Sequence, residues 1–203
     1  MASMPNERLI LASASPVRAR LLYAAGIDFV VRPSALDEAV IKRQFRAAGR
    51  SARDCALSLA KAKAAAVSAQ YPQAIVIGAD QILICGTIWF DKPNDPAAAR
   101  RQLRSLCGRE HVLETAACAV RGGEGLWAAS SAPRLGMRDL SDGFVHDYVD
   151  SEGDAILGSV GAYRLEGRGV QLFDRIDGDY FAVLGLPLLP LLRFLREQGH
   201  LAG

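Results

Sequence analysis

The residues able to do chemistry gather around three turns. Ile75-Val76-Ile77 is an apolar run typical of a buried strand, Gly78 and Ala79 end it with two small residues, and Asp80 follows where the strand gives way to a turn. A carboxylate there is costly to bury without a partner. A second run, Ile82 to Ile84, the turn Cys85-Gly86-Thr87 and the segment Trp89 to Pro93 complete a hairpin with Asp80 near one end and Lys92 near the other. The pair suits a charged site, and equally a hairpin with a solvated Asp at its rim.

Ser13-Ala14-Ser15-Pro16 joins a strand, Arg8 to Ala12, to a helix, Val17 to Ala25, with Ser15 as N-cap and Pro16 at the first helical position. Backbone N–H groups and the helix dipole favour an anion there, and Arg18 in the first turn is unfavourable unless it meets one. The segment reads as a phosphate cradle of Ser13, Ser15 and Arg18, or as an ordinary capped helix. Asp37 and Glu38 precede a helix over Ala39 to Ala48. They complement its dipole, or bind a hard divalent cation of the kind that handles phosphates.

The elements that must position these groups alternate along the chain. Phe29 to Val31 reads as a strand and Ser51 to Ala69 as an alanine-rich helix, on which Lys61 and Lys63 point in different directions, so at most one faces a site. Asp95 to Leu106 is a further helix. Val112 to Val120 is a strand, preceded by a lone His111 that reads as structural. Strand material continues over Leu126 to Leu140, and Ser141 caps a helix reaching Asp150. Gly158 to Gly169 lacks the strand–loop–helix context of a dinucleotide or P-loop motif. It reads as a loop lining a cleft, with Tyr163 and Glu166 available to a ligand. A strand over Gln171 to Ile176 and a helix over Pro190 to Glu197 complete an α/β pattern with a mixed sheet.

Length and composition suit this pattern. At 203 residues and 50% hydrophobic content the chain can bury a sizeable core as one domain of two closely joined lobes, residues 1–203, with no separable linker. A net charge of +2 argues against duplex nucleic acid or a membrane surface as partner. Cys55, Cys85, Cys107 and Cys118 form neither a zinc pattern nor a disulfide framework, which fits a reducing cytoplasm. The first ten residues hold no apolar core of a signal peptide, and the run Leu184 to Leu192 is too short and proline-broken to span a bilayer.

Taken in order, Ser13-Ala14-Ser15-Pro16-x-Arg18, Asp37-Glu38, Leu59-Ala60-x-x-Lys63-Ala64, Gly78-Ala79-Asp80 and Lys92-Pro93 resemble the Maf family. So do Gly108-Arg109-x-His111, Gly161-Ala162-Tyr163, Gly178-Asp179-Tyr180 and Gly185-Leu186-Pro187-Leu188. The resemblance implies a Maf/ITPase-like α/β fold, an elongated mixed sheet flanked by helices in two lobes around a deep cleft. It implies a cytoplasmic nucleoside triphosphate pyrophosphatase that cleaves between the α- and β-phosphates, a divalent metal (Mg²⁺ or Mn²⁺) and a homodimer. By position, Asp80 matches the general base, Glu38 the acidic partner that with Asp80 serves the metal, and Ser13, Ser15, Arg18, Lys63 and Lys92 the phosphate-binding groups.

Three positions bear on base selection. Val17 stands where many members have a second Arg, Gln81 where many have Thr or Ser, and Glu166 where many have Gln. Gln81 and Glu166 resemble the subgroup acting on 7-methyl-GTP, whereas Thr and Gln go with dTTP and UTP. Guanine's adjacent N1–H and N2–H₂ donors suit a carboxylate, and a positive N7-methylated ring suits an anionic one. The expectation is house-cleaning of modified nucleotides with 7-methyl-GTP favoured. The alternatives are a dTTP/UTP-type enzyme, a hydrolase for deaminated purines such as ITP, and a regulatory nucleotide-binding protein affecting septum formation.

Overall fold

The computed structural model describes residues 9–202, so residues 1–8, which include Arg8 and most of the segment read as lacking a signal peptide, lie outside the described residues. Among the described residues eight strands form one mixed sheet: Leu9–Leu11 (β1), Val30–Val31 (β2), Ile75–Cys85 (β3), Ile88–Phe90 (β4), Glu110–Arg121 (β5), Glu124–Ser131 (β6), Arg134–Met137 (β7) and Phe173–Asp177 (β8). β1 runs parallel to β2 and β3; every other pairing is antiparallel.

The two long strands make the frame. β3 pairs with β5 along one edge from Val76 to Ile84. Its other edge takes β1 at Ile75 to Ile77 and β4 at Leu83 to Cys85. Gly78 to Ile82 therefore have a strand partner on the β5 side only. β5 likewise takes β7 and β6 at different heights on its outer edge. The sheet forks, and the gap in the β1/β4 edge opens at the middle of β3.

Helices cover both faces. Ala52–Ser68 (α3), capped by the Ser51 hydroxyl, lays Ala56, Leu59, Ala60 and Ala64 against Val76 and Ile82 on one face. Glu38–Ala47 (α2), capped by Asp37, packs beside α3 and buries only Phe45. Pro16–Ala24 (α1) and Leu188–Glu197 (α7) cover Ile75, Ile77 and Ala79 on the other face through Leu22, Leu191 and Leu195. Pro96–Leu106 (α4) and Asp142–Glu152 (α5) close the far arm around Leu83, Leu113 and Leu135. Tyr180–Val183 (α6) is a single turn beside β5. Among the described residues no helix is long and apolar enough to cross a membrane.

The main correction concerns the opening stretch. No turn follows Gly78-Ala79: β3 continues through Asp80 to Cys85. The small residues mark close packing instead, because a Cβ on Gly78 would lie 2.0 Å from the Ala60 carbonyl oxygen and 2.9 Å from Ala64 Cβ. The glycine-rich segment is likewise not a plain loop but a series of 3₁₀ turns over Gly153–Gly158, Val160–Ala162 and Arg168–Leu172. The last of these delays the final strand, expected from Gln171, to Phe173.

Candidate active site

Asp80 sits in the middle of the sheet gap with 4% of its surface exposed, not on a solvated rim. A lone carboxylate so placed would be prohibitively costly. Its partner is Lys63, whose Nζ lies 2.5 Å from Asp80 Oδ1 and 2.7 Å from Glu38 Oε1. Alternation along β3 sends Asp80 toward the α3 face. The close approach of α3 at Gly78 then brings Lys63 onto it, while the exposed Lys61 points away, as its spacing requires. Burial pushes the Glu38 carboxyl up, but Lys63, aided by Lys42 and Lys92, outweighs this and holds it below the usual carboxylate range. Asp80 Oδ2 is buried and has no hydrogen-bond partner among the described residues.

The cradle at α1 forms the next wall. Ser15 caps α1 by accepting from the Arg18 backbone N–H at 3.4 Å. Arg18 is not a surface residue. Its Nε donates to the Gly185 carbonyl at 2.8 Å, and Nη1 to Ser13 Oγ at 3.0 Å and the Ala79 carbonyl at 2.9 Å. The sheet gap deprives Ala79 of a strand partner on that edge, and the guanidinium fills the vacancy in the ladder. Nη2, which these contacts do not use, remains for a ligand. Ser13 Oγ also accepts from the Ser15 N–H, so its own O–H is left to donate. Lys92, just beyond the end of β4, makes no ion pair with the described residues. Burial first, then repulsion from Arg18 and Lys63, lowers its proton affinity.

The opposite side of the gap holds the three positions linked to base selection. Gln81 leaves β3 on the face opposite Asp80, and its Nε2 donates to Thr115 Oγ1 and to the Ala182 and Val183 carbonyls at 2.8–3.1 Å. The amide nitrogen is spent on the protein, and the amide oxygen is the atom left to a ligand. Glu166 pairs through Oε1 with Arg20 at 3.2 Å and Arg164 at 3.5 Å, which ties the 3₁₀ segment back to α1 and leaves Oε2. Val17 lines the same cavity. Tyr163 also lines it, but its hydroxyl is held by His111 Nε2 at 2.8 Å, a structural use for both residues.

The ten positions assigned by the family resemblance line one cleft of about 660 Å³, together with Tyr163, whereas Asp37, the other acid considered for a cation, caps α2 and does not line the cleft. The sequence reading missed Lys42, Arg46 and Asp91 at its outer end. Lys42 Nζ lies 2.9 Å from Asp91 Oδ1, and Arg46 lies 3.2 Å from Oδ2. Their signal was the four-residue spacing of Glu38, Lys42 and Arg46, which puts all three on one face of α2.

The donor set constrains any metal. Among the described residues no group of three His, Cys, Asp or Glu side chains could hold an ion. Two carboxylates around one buried, unpartnered oxygen suit a hard cation that completes its shell with phosphate oxygens and water, as Mg²⁺ does. With hydroxyl donors and six cationic side chains on the same walls, the cleft can bind a polyphosphate, position a water and stabilise charge on a leaving phosphate.

The family model described as Maf-like protein matches residues 8–198. A Granulibacter bethesdensis protein named nucleoside triphosphate pyrophosphatase is 51% identical over 94% of this chain and 97% of its own. A Rhizobium meliloti protein named 7-methyl-GTP pyrophosphatase is 49% identical over 94% and 96%. A solved nucleoside-triphosphatase, or dITP/XTP pyrophosphatase, from Mycobacterium abscessus is a slighter likeness, with TM-score 0.40 and 17% identity over 65% of this chain and 74% of that one.

Proposed function

The chain belongs to the Maf family, and from that premise we propose that it is a nucleoside triphosphate pyrophosphatase, cutting the α–β phosphoanhydride to give a nucleoside monophosphate and pyrophosphate. The observation that carries this reading is the Lys63 ammonium seated between the buried Asp80 carboxylate and Glu38 in a cleft walled by further cations.

In the proposed reaction Asp80 Oδ2 takes a proton from the attacking water, a role for which it has a free lone pair and no competing donor. The Ser13 and Ser15 hydroxyls, Arg18 Nη2 and the α1 N-terminus hold the phosphate that is attacked. Lys63 and Lys92 offset the charge that gathers on the departing pyrophosphate. Asp80 and Glu38 would hold a divalent cation, Mg²⁺ or Mn²⁺, which when bound polarises a phosphoryl oxygen and makes water easier to deprotonate. The four free thiols fit a reducing cytoplasm. A homodimer is part of the proposal, with light scattering as its test.

We assign the base to the Gln81–Glu166 side. Both residues offer it acceptors, the Gln81 amide oxygen and Glu166 Oε2, which match the adjacent N–H donors of guanine and mismatch the acceptors of a pyrimidine. Arg20 and Arg164 offset the Glu166 charge, so hydrogen-bond complementarity carries more of the selection than net charge. This favours guanine nucleotides, with 7-methyl-GTP the leading candidate because the Rhizobium meliloti relative bears that name. The test is a turnover screen over ordinary and methylated nucleotides and ITP. The account expects kcat/KM highest for 7-methyl-GTP; a leading rate with dTTP or UTP overturns the base assignment.

A further inference from the structure

Charge is shared unevenly along the α2 wall of the cleft. At its inner end one cation, Lys63, faces two carboxylates, Asp80 and Glu38. At its outer end two cations, Lys42 and Arg46, share the single carboxylate of Asp91. Glu38, Lys42 and Arg46 follow one another along one helix face, each about 6 Å further from the inner end. The inner end therefore suits a cation and a water, and the outer end an anion.

The outer end is also built for exchange. The Lys42 side chain is 14% exposed, whereas that of Asp91 is 52% exposed. Burial pushes the Lys42 ammonium down, but Asp91, then Asp80 and Glu38, more than restore it, so it stays charged. An incoming dianionic phosphate meets an ammonium already stripped of much of its water, and Asp91 can return to solvent at little cost.

We propose that Lys42, assisted by Arg46, binds the terminal phosphate of the substrate, and that Asp91 is a place-holder which that phosphate displaces. The proposal rests on the pyrophosphatase reading and deepens it, because it gives the site a means of counting phosphates. A triphosphate with its α–β bond at Asp80 extends its tail along α2 to Lys42. A nucleoside monophosphate ends before it.

The competing account is that the Lys42–Asp91 pair only pins β4 to α2 and so places Lys92. Calorimetry with inorganic pyrophosphate and with GMP, each with Mg²⁺, separates the two accounts on wild type, Lys42→Ala, Lys42→Met and Asp91→Ala, with circular dichroism confirming the fold. Both Lys42 variants are expected to weaken pyrophosphate binding about tenfold or more while GMP binding moves less than about threefold. Asp91→Ala is expected to bind pyrophosphate at least as tightly as wild type. The proposal is overturned if the Lys42 variants bind pyrophosphate as wild type does, if they lose both ligands alike, or if Asp91→Ala reproduces their defect. Release of pyrophosphate from a triphosphate by the wild type is measured alongside. Its absence sinks the pyrophosphatase reading, whereas turnover with unaltered pyrophosphate binding sinks only the role of Lys42.

Discussion

At the residue scale, two carboxylates of the site each commit one oxygen to cationic side chains and keep the other free. Asp80 spends Oδ1 on Lys63 and keeps Oδ2; Glu166 spends Oε1 on two arginines and keeps Oε2. Glu166→Gln exchanges one of two adjacent acceptors for a donor. Its kcat/KM for 7-methyl-GTP is expected to fall roughly 10- to 100-fold while that for UTP holds or rises; equal losses on both would show that Glu166 does not read the base. His111 makes a pH prediction. Burial pushes its imidazole down to about 4. The unfolded chain protonates this histidine near pH 6.5 while the fold resists until about 4, so stability falls as pH drops through that window, by up to about 3 kcal/mol. Urea melts of wild type and His111→Gln check this, the variant showing the shallower slope. Residue types at the site were legible from the sequence, because Ser, Arg, Lys and Asp stood beside readable caps and strands. The partners were not. Arg18 answers a carbonyl left bare by the sheet gap, and that carbonyl belongs to Ala79, 61 positions further along the chain.

At the element scale, β3 and α3 act as a pair. Gly78 lets the helix touch the strand, and this contact sets the height at which Lys63 meets Asp80. Gly78→Ala forces a Cβ into the Ala60 carbonyl, against backbone that cannot move aside cheaply. It is expected to cost about 3 kcal/mol or more in a denaturant melt and to lower activity at temperatures where the fold persists. A melt within about 0.5 kcal/mol of wild type would show that the contact is dispensable. Helices were read well from sequence because Ser15, Asp37, Ser51, Asp95 and Ser141 each cap the helix they precede. The break read at Gly78-Ala79 was an error of the same local logic. Small residues mark a turn only when no tertiary neighbour needs the space, and the neighbour here is a helix that starts more than twenty residues earlier.

At the scale of the whole molecule, the forked sheet does the organising. The gap at mid-β3 gives one cleft access to both faces, with Asp80 and Lys63 on the α3 side and the α1 cradle and Gln81 on the other. Mixed α/β architecture was legible from the alternation of strands and helices, but the fork was not, because edge pairing depends on register between distant segments. Under the proposed reading the divalent cation serves the reaction and not the fold, because among the described residues no group of three ligating side chains could hold a structural ion. Chelation with EDTA is expected to abolish turnover, restored by Mg²⁺ or Mn²⁺, while the melting temperature stays unchanged. The most direct measurement is ³¹P NMR of the products formed from 7-methyl-GTP with Mg²⁺ by wild type and Asp80→Asn. The account predicts equimolar nucleoside monophosphate and pyrophosphate from wild type, and a rate about 10² to 10⁴ lower from the variant. Orthophosphate with a nucleoside diphosphate, or undiminished turnover by Asp80→Asn, would contradict it.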